Sequence, residues 1–121
     1  MGDRQTGFAH TQREAAGTLS SGGVQVVAGT ASKWTVTDLF EITNSSANAG
    51  TYLEWRQGGR LIWRIGCGGL FTKTFAFPGN GFYANLATSD ASANEAIRLT
   101  FSAGTAKISW LWIGAKRPDG P

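Results

Sequence analysis

Apolar and polar side chains alternate along most of the chain, and this period of two restricts the fold more than any other feature. In the segment EAIRLTF, Ile97, Leu99 and Phe101 fall on one face and polar residues on the other. Clusters of Gly, Asn and Ser bound such segments, as turns do between strands. Eight segments of this kind lie between Val24 and Gly114: VQVVA, KWTVTDLFEITN, TYLEWRQ, RLIWRI, LFTKTFAF, GFYANLA, EAIRLTF and AKISWLWIG. The pattern predicts an all-β protein.

The number of these segments indicates a sandwich of two sheets. The chain has 121 residues, the size of one domain, and 17 glycines against 3 prolines supply its turns. We expect an eight-stranded antiparallel jelly-roll-like sandwich. An immunoglobulin-like sandwich fits less well, because the chain has one cysteine and therefore lacks the Cys-Trp-Cys framework of those domains.

Composition divides the chain into three parts. Residues 1–23 are polar and rich in glycine, with too few apolar side chains to form a core. We predict a flexible N-terminal arm for residues 1–23, a β-sandwich domain for residues 24–114 and a polar C-terminal tail for residues 115–121. We expect the arm to order only on a partner, through the anchoring side chains Arg4, Phe8, His10, Arg13 and Leu19.

Charge, cysteine content and hydropathy argue against several classes of protein. The formal net charge of +3 is too small to hold a polyanion, since non-specific nucleic-acid binding needs many phosphate contacts. No apolar stretch is long enough to span a bilayer, and the first residues lack the apolar core of a signal peptide. We therefore expect a protein made in the cytoplasm, with no nucleic-acid partner and no membrane partner.

No set of residues identifies a reaction. Cys67 lies in the turn-like segment GCGG, and the only histidine, His10, lies in the predicted arm, so the thiol has no base beside it. A two-carboxylate glycosidase would need two acidic side chains within about 5 to 10 Å. The acidic residues of the predicted sandwich are dispersed along it, at Asp38, Glu41, Glu54, Asp90 and Glu95. We predict that the protein is not an enzyme and uses no cofactor.

The segment TYLEWRQGGRLIWRI has the pattern of a β-hairpin. A three-residue loop ending at Gly59 would pair Trp55 with Leu61. The last position of such a loop favours a glycine in the left-handed conformation. The core face of the hairpin would then be formed by Leu53, Trp55, Leu61 and Trp63.

The same register places arginines on the opposite face of the hairpin. Arg56 would lie directly opposite Arg60, with Arg64 close by and Glu54 as the only carboxylate. Two interpretations stay open: a solvated face with a partial ion-pair network, or a positively charged surface for an acidic or carbonyl-rich partner. A nucleic-acid surface is less favoured, because stacking aromatic rings would have to lie beside the arginines.

The last predicted strand is apolar on both faces. In KISWLWIG, tryptophans lie on one face while Leu111 and Ile113 lie on the other. A strand of this kind is covered on both sides, by the arm, by a barrel-like curl or by another subunit. We expect another subunit, and therefore a homo-oligomer with an interface formed by Tyr52, Ile62, Leu111 and Ile113.

Several local features occur together in a familiar order. They are a small-Gly-x-Lys/Ser turn before a strand, the corner Phe77-Pro78, a Glu-Ala-Ile/Leu-x-Leu strand at residues 95–99 and a terminal aromatic strand. Over residues 24–114 this order resembles the small jelly-roll proteins of tailed bacteriophages that decorate or cement capsids.

The resemblance implies a structural role on a virion. Such a protein binds the outer shell at symmetry axes, often as a homotrimer, with the major capsid protein as its partner, and resists internal pressure. The resemblance thus implies that the expected homo-oligomer is a homotrimer. No catalytic residues carry over from the resemblance. We expect the capsid contacts to come from the arm and the arginines, namely Arg4, Phe8, Arg13, Leu19, Arg56, Arg60 and Arg64.

A second hypothesis is a carbohydrate-binding or receptor-binding β-sandwich module of a phage fibre. In that case exposed tryptophans would stack on sugar rings. The two hypotheses differ in where the five tryptophans point, which are Trp34, Trp55, Trp63, Trp110 and Trp112. The strand pattern places all five toward the core, which favours the structural role.

Overall fold

The computed structural model describes residues 11–29, 33–58, 60–79, 81–83 and 96–117, and in this part the chain forms β-strands and no helix. The eight strands are β1 (Thr11–Leu19), β2 (Gly23–Val27), β3 (Trp34–Ser46), β4 (Tyr52–Gln57), β5 (Arg60–Gly66), β6 (Phe71–Ala76), β7 (Ile97–Phe101) and β8 (Lys107–Arg117). Sheet A has the strand order β1-β8-β3-β6, and sheet B has the order β2-β7-β4-β5. All neighbouring strands are antiparallel, which confirms the prediction of an all-β fold with antiparallel sheets.

The core lies between the two sheets, where alternate side chains point inward. The indole of Trp55 in sheet B joins the layers, because it makes edge contacts with Phe40 and Phe75 of sheet A. The ring centroids lie 5.0 and 5.2 Å apart, the separation typical of stabilising aromatic pairs. The buried apolar set draws on strands of both sheets: Leu19, Val26, Phe40, Ile42, Leu53, Trp55, Ile97, Leu99, Ile108, Trp110 and Trp112.

Seven of the eight predicted segments are strands, and of GFYANLA the structure describes residues 81–83. Among these three residues Phe82 pairs, in an isolated bridge to Thr37 with backbone hydrogen bonds of 2.8 and 3.0 Å. The rest of the segment lies outside the described residues. The eighth strand that the structure describes is β1, which the sequence did not predict.

Strand β1 occupies residues that the sequence assigned to a flexible arm. Its whole length pairs with β8, from Thr11 opposite Lys116 to Leu19 opposite Ile108, and Leu19 is buried. The strand escaped prediction because its inward positions are small: a Cβ on Gly17 would lie only 2.8 Å from the Trp110 ring. The sandwich therefore begins before residue 24, and the first ten residues of the expected arm lie outside the described residues.

The last strand also continues past its predicted end. Strand β8 reaches Arg117, so that residues 115–117 of the expected tail pair with β3. Ala115 and Lys116 are buried there, and the Lys116 ammonium donates hydrogen bonds to the Ala28 carbonyl and to Thr35 Oγ1. Because residues 115–117 include two charged side chains, the sequence did not predict a strand here, yet Lys116 is hydrogen-bonded inside the sandwich.

The β4–β5 hairpin has a different loop from the one predicted. Gln57 pairs with Arg60, so the loop is the two residues Gly58 and Gly59 rather than three. The left-handed glycine that the structure describes is Gly58, with φ of 62°, whereas Gly59 lies outside the described residues. The predicted three-residue loop is wrong.

A β-bulge explains the difference in register. Trp55 pairs with Trp63, but Arg56 pairs with Leu61, so β5 has one extra residue, Ile62, between the two pairs. The bulge reverses the alternation of side chains. Leu61 therefore leaves the core face and is 43% exposed, which corrects its assignment to the core, while Ile62 packs against the core.

Candidate interaction surface

Three arginines lie on the outer face of sheet B. In strand β4, Leu53, Trp55 and Gln57 are buried between the sheets, and the residues between them lie on the opposite face, where Arg56 is half-buried and Glu54 is buried. Strand β7 alternates in the same way, with Ile97 and Leu99 buried. We call the resulting outer surface the arginine face; it consists of Tyr52, Glu54, Arg56, Leu61, Arg64 and Arg98.

One buried carboxylate organises two of these arginines. Arg56 Nε donates a hydrogen bond to Glu54 Oε1, and Arg64 Nε forms an ion pair with Glu54 Oε2, each at 3.0 Å. The Glu54 side chain is only 7% exposed beneath them, whereas those of Arg56 and Arg64 are 38% and 50% exposed. The Arg64 guanidinium also lies 5.0 Å from the centre of the Tyr52 ring, a cation–π contact. Both guanidiniums are thus held in place from below.

Arg98 is the member of the arginine face that sequence reasoning missed. The predicted contact of Arg56 with Arg60 is wrong, because the bulged hairpin places Arg60 opposite Gln57. The residue directly opposite Arg56 on the other side is Arg98, on the neighbouring strand β7. The alternation of EAIRLTF already put Arg98 on the polar face, but no local sequence pattern indicates that β4 and β7 are neighbouring strands.

The arginine face carries more positive charge than its own carboxylate neutralises. Glu54 pairs with two guanidiniums, and Arg98 adds a third, exposed one. Guanidinium groups present planar sets of N–H donors that match carboxylates and carbonyl-rich surfaces. Tyr52 and Leu61 add exposed apolar surface at 48% and 43% exposure. This arrangement is chemically suited to binding a surface rich in carboxylates or carbonyl groups.

The four residues predicted to form a subunit interface do not lie in one patch. Leu111 and Ile113 are half-buried on the outer side of sheet A, where Ile113 pairs with Leu39 of β3. Tyr52 lies on the arginine face of sheet B. Ile62 packs against the core.

The predicted capsid contacts from the arm, and Arg60 with them, do not share one surface among the described residues. Leu19 is 5% exposed in the core, so the assignment of its side chain to a partner is corrected. Arg13 lies in β1 opposite Gly114, and its side chain is outside the described part of the structure. Arg4 and Phe8 lie outside the described residues. Arg60 is exposed at the start of β5.

None of the five indole rings is exposed. Trp55, Trp110 and Trp112 are buried, and Trp112 Nε1 donates a 2.8 Å hydrogen bond to Thr37 Oγ1. The other two are half-buried in aromatic contacts, Trp34 against Tyr83 and Trp63 against Phe71 and Phe75.

Cys67 is a core residue in the turn after β5. Its backbone N–H donates to the Thr51 carbonyl at 2.9 Å, and its carbonyl accepts from Asn48 N–H at 2.7 Å. Burial raises the pKa of the Cys67 thiol above its ordinary value, and a hydrogen bond with the Leu53 backbone offsets part of this rise. The thiol is therefore neutral at physiological pH.

We expect Cys67 to react slowly with a thiol reagent such as DTNB at pH 8 in the folded protein, and rapidly in urea. Because the folded-state pKa is raised, the stability that the thiol contributes is full below the unfolded-state pKa. It is lost as pH rises toward the folded-state pKa. Urea midpoints should therefore decline at alkaline pH more steeply for the native chain than for Cys67→Ala. Fast labelling of the folded protein at pH 8 would contradict this description.

Comparisons with known proteins add no assignment. Neither a protein-family model nor a curated protein nor a solved structure matches the chain. Within the described ranges, no helix is long and apolar enough to cross a bilayer, and no three His, Cys, Asp or Glu side chains gather in a possible metal site.

Proposed function

We propose that the chain is a structural virion protein that binds the outside of a tailed-phage capsid and stabilises it. The observation that carries this proposal is the arginine face, a fixed, positively charged surface with exposed tyrosine and leucine at its edges. Arginine and tyrosine are among the residue types most enriched where proteins bind each other tightly. The major capsid protein is the proposed partner.

The strand order supports the proposed jelly-roll relationship. Apart from the β4–β5 hairpin, successive strands pass between the sheets, so that β1, β8, β3 and β6 form one layer and β2, β7, β4 and β5 form the other. Two four-stranded sheets with crossings of this kind are the arrangement of a jelly roll, an architecture used in viral capsid domains.

The tryptophans weigh against the alternative of a carbohydrate-binding module. Stacking on a sugar ring requires an exposed aromatic face, and none of the five indoles is exposed: four pack into or against the core, and Trp34 packs against Tyr83. Tyr52 is the only exposed aromatic side chain among the described residues, and Arg64 lies over its ring. The described surface therefore offers little to a sugar.

A homotrimer remains part of the proposal, with a modified interface. A three-fold ring joins two different patches of each subunit, because its contacts run head to tail. Leu111 and Ile113 on sheet A and Tyr52 on sheet B lie on different faces, which fits a contact of that kind. Analytical ultracentrifugation of the full chain tests the trimer.

Co-sedimentation tests the proposed function. The full chain is expected to pellet with empty shells of the phage that carries it and not with insoluble polysaccharide. Arg98→Glu should weaken shell binding tenfold or more, since it reverses one charge on the arginine face. Lys107→Glu makes the same charge change on sheet A and serves as the matched control, with little effect expected. Pelleting with polysaccharide alone would favour the carbohydrate-binding alternative.

A further inference from the structure

We propose that the arginine face binds paired carboxylates of an acidic protein segment, and that Glu54 is the positioning residue for this contact. The inference rests on the proposed function in that it concerns the same surface. It goes further by naming the chemistry of the ligand and by assigning a role to a carboxylate that is itself of the same charge as the ligand.

The polar contacts of the two arginines leave their terminal groups for a partner. Among the described residues, Glu54 is the one polar partner of Arg56 and Arg64: Nε of Arg56 donates it a hydrogen bond, and Nε of Arg64 forms an ion pair with it. A guanidinium has five N–H donors, so the Nη edge of each group keeps its paired donors. A pair of parallel N–H donors is the geometry that binds a carboxylate through both oxygens.

Glu54 arranges these donors before any ligand arrives. Its carboxylate is buried and receives one guanidinium on each oxygen, so each arginine is restrained at a point near its charged end. The contact of Arg64 with Tyr52 restrains one of them further. A side chain ordered in the free protein loses less entropy on binding, which favours a ligand that fits the preset positions.

The same observations favour carboxylates over a nucleic acid. Single-stranded nucleic acids bind through aromatic rings on which bases stack, together with a run of phosphate contacts. On the arginine face the one exposed ring, Tyr52, already has Arg64 over it, and only three guanidiniums gather there. An extended acidic segment instead presents carboxylates from residues i and i+2 on one side, about 7 Å apart.

The test compares the full-length protein with variants that separate geometry from net charge. The probe is a fluorescent polyglutamate peptide of about 20 residues, a length that spans several strands of a sheet, and its affinity is measured by anisotropy at fixed salt. Glu54→Gln should weaken binding about five- to tenfold, although it removes a negative charge from the surface. Arg56→Lys keeps the charge but loses the Nε contact and the paired donors, and should weaken binding to a similar degree. Lys107→Gln, on sheet A, should leave the affinity within about twofold.

Other outcomes of these measurements would contradict the proposal in whole or in part. Tighter binding of polyglutamate by Glu54→Gln would show that net charge alone acts, and would overturn the positioning role. If Glu54→Gln does not fold, the affinity of Arg56→Lys for polyglutamate becomes the test. An unchanged affinity of Arg56→Lys overturns the proposal. Tighter binding of single-stranded DNA of equal charge would assign the face to nucleic acid. Shell binding without polyglutamate binding overturns the ligand chemistry alone, whereas polyglutamate binding without shell binding overturns only the shell function.

Discussion

A chain that lacks residues 1–20 is expected to lose its cooperative unfolding transition. The deletion removes β1, which pairs with β8 along its whole length, and it removes Leu19 from the core. Losing a buried leucine alone costs about 2 to 5 kcal/mol. The lost strand also uncovers Trp110 beside Gly17. Since a domain has about 5 to 15 kcal/mol of stability in total, these losses together remove most of it.

Circular dichroism during heating and in urea provides the measurement. The matched control lacks only residues 1–10, which keeps all eight strands, and its transition should stay close to that of the full chain. An unchanged melting temperature in the longer deletion would mean that β1 is not an integral strand, and would restore the flexible arm predicted from sequence.

Trp55→Ala is expected to destabilise the fold by about 3 to 5 kcal/mol, the range for truncating a large buried aromatic side chain. Trp55 is 1% exposed, and its ring contacts Phe40, Phe75 and Phe82 with centroid distances of 5.0 to 5.6 Å. The substitution leaves a cavity between the two sheets, where rigid strands on both sides limit collapse.

Urea denaturation measures the change, and the hairpin offers its own control. Leu61→Ala, on the strand paired with β4, should cost far less, because Leu61 is 43% exposed. This comparison also tests the register, since the predicted three-residue loop would make Leu61 a core residue. Equal destabilisation by the two substitutions would contradict the bulge.

Local alternation predicted most strands because burial on one face of a sheet imposes it residue by residue. It could not detect β1, since Ala15 and Gly17 face Trp112 and Trp110 across the ladder and must be small. Where the large side chains of the partner strand fill the core, the facing positions must be small, and the usual pattern of large apolar residues is absent. The bulge at Ile62 was hidden for a related reason: inserting one residue reverses the alternation without any change in composition.

The candidate site was predictable only in part. The hairpin pattern correctly placed Arg56 and Arg64 on the outer face with Glu54, because all three follow the alternation of β4 and β5. Arg98 joins them through the pairing of β4 with β7, strands that are far apart in sequence. The depth at which Glu54 is buried likewise depends on the two guanidiniums that cover it, which no spacing in the chain reveals.

The pairing of β1 with β8 has a consequence for how the chain acquires its structure. Paired residues in this ladder are about 90 to 105 positions apart, so a large loop must close before their hydrogen bonds form. During synthesis β1 leaves the ribosome long before β8, and Leu19 has no core to enter in the interval. Sandwiches with such distant pairings fold slowly, in about milliseconds to seconds. The nascent chain therefore passes through a stage in which an unpaired β1 is open to mispairing and to capture by chaperones.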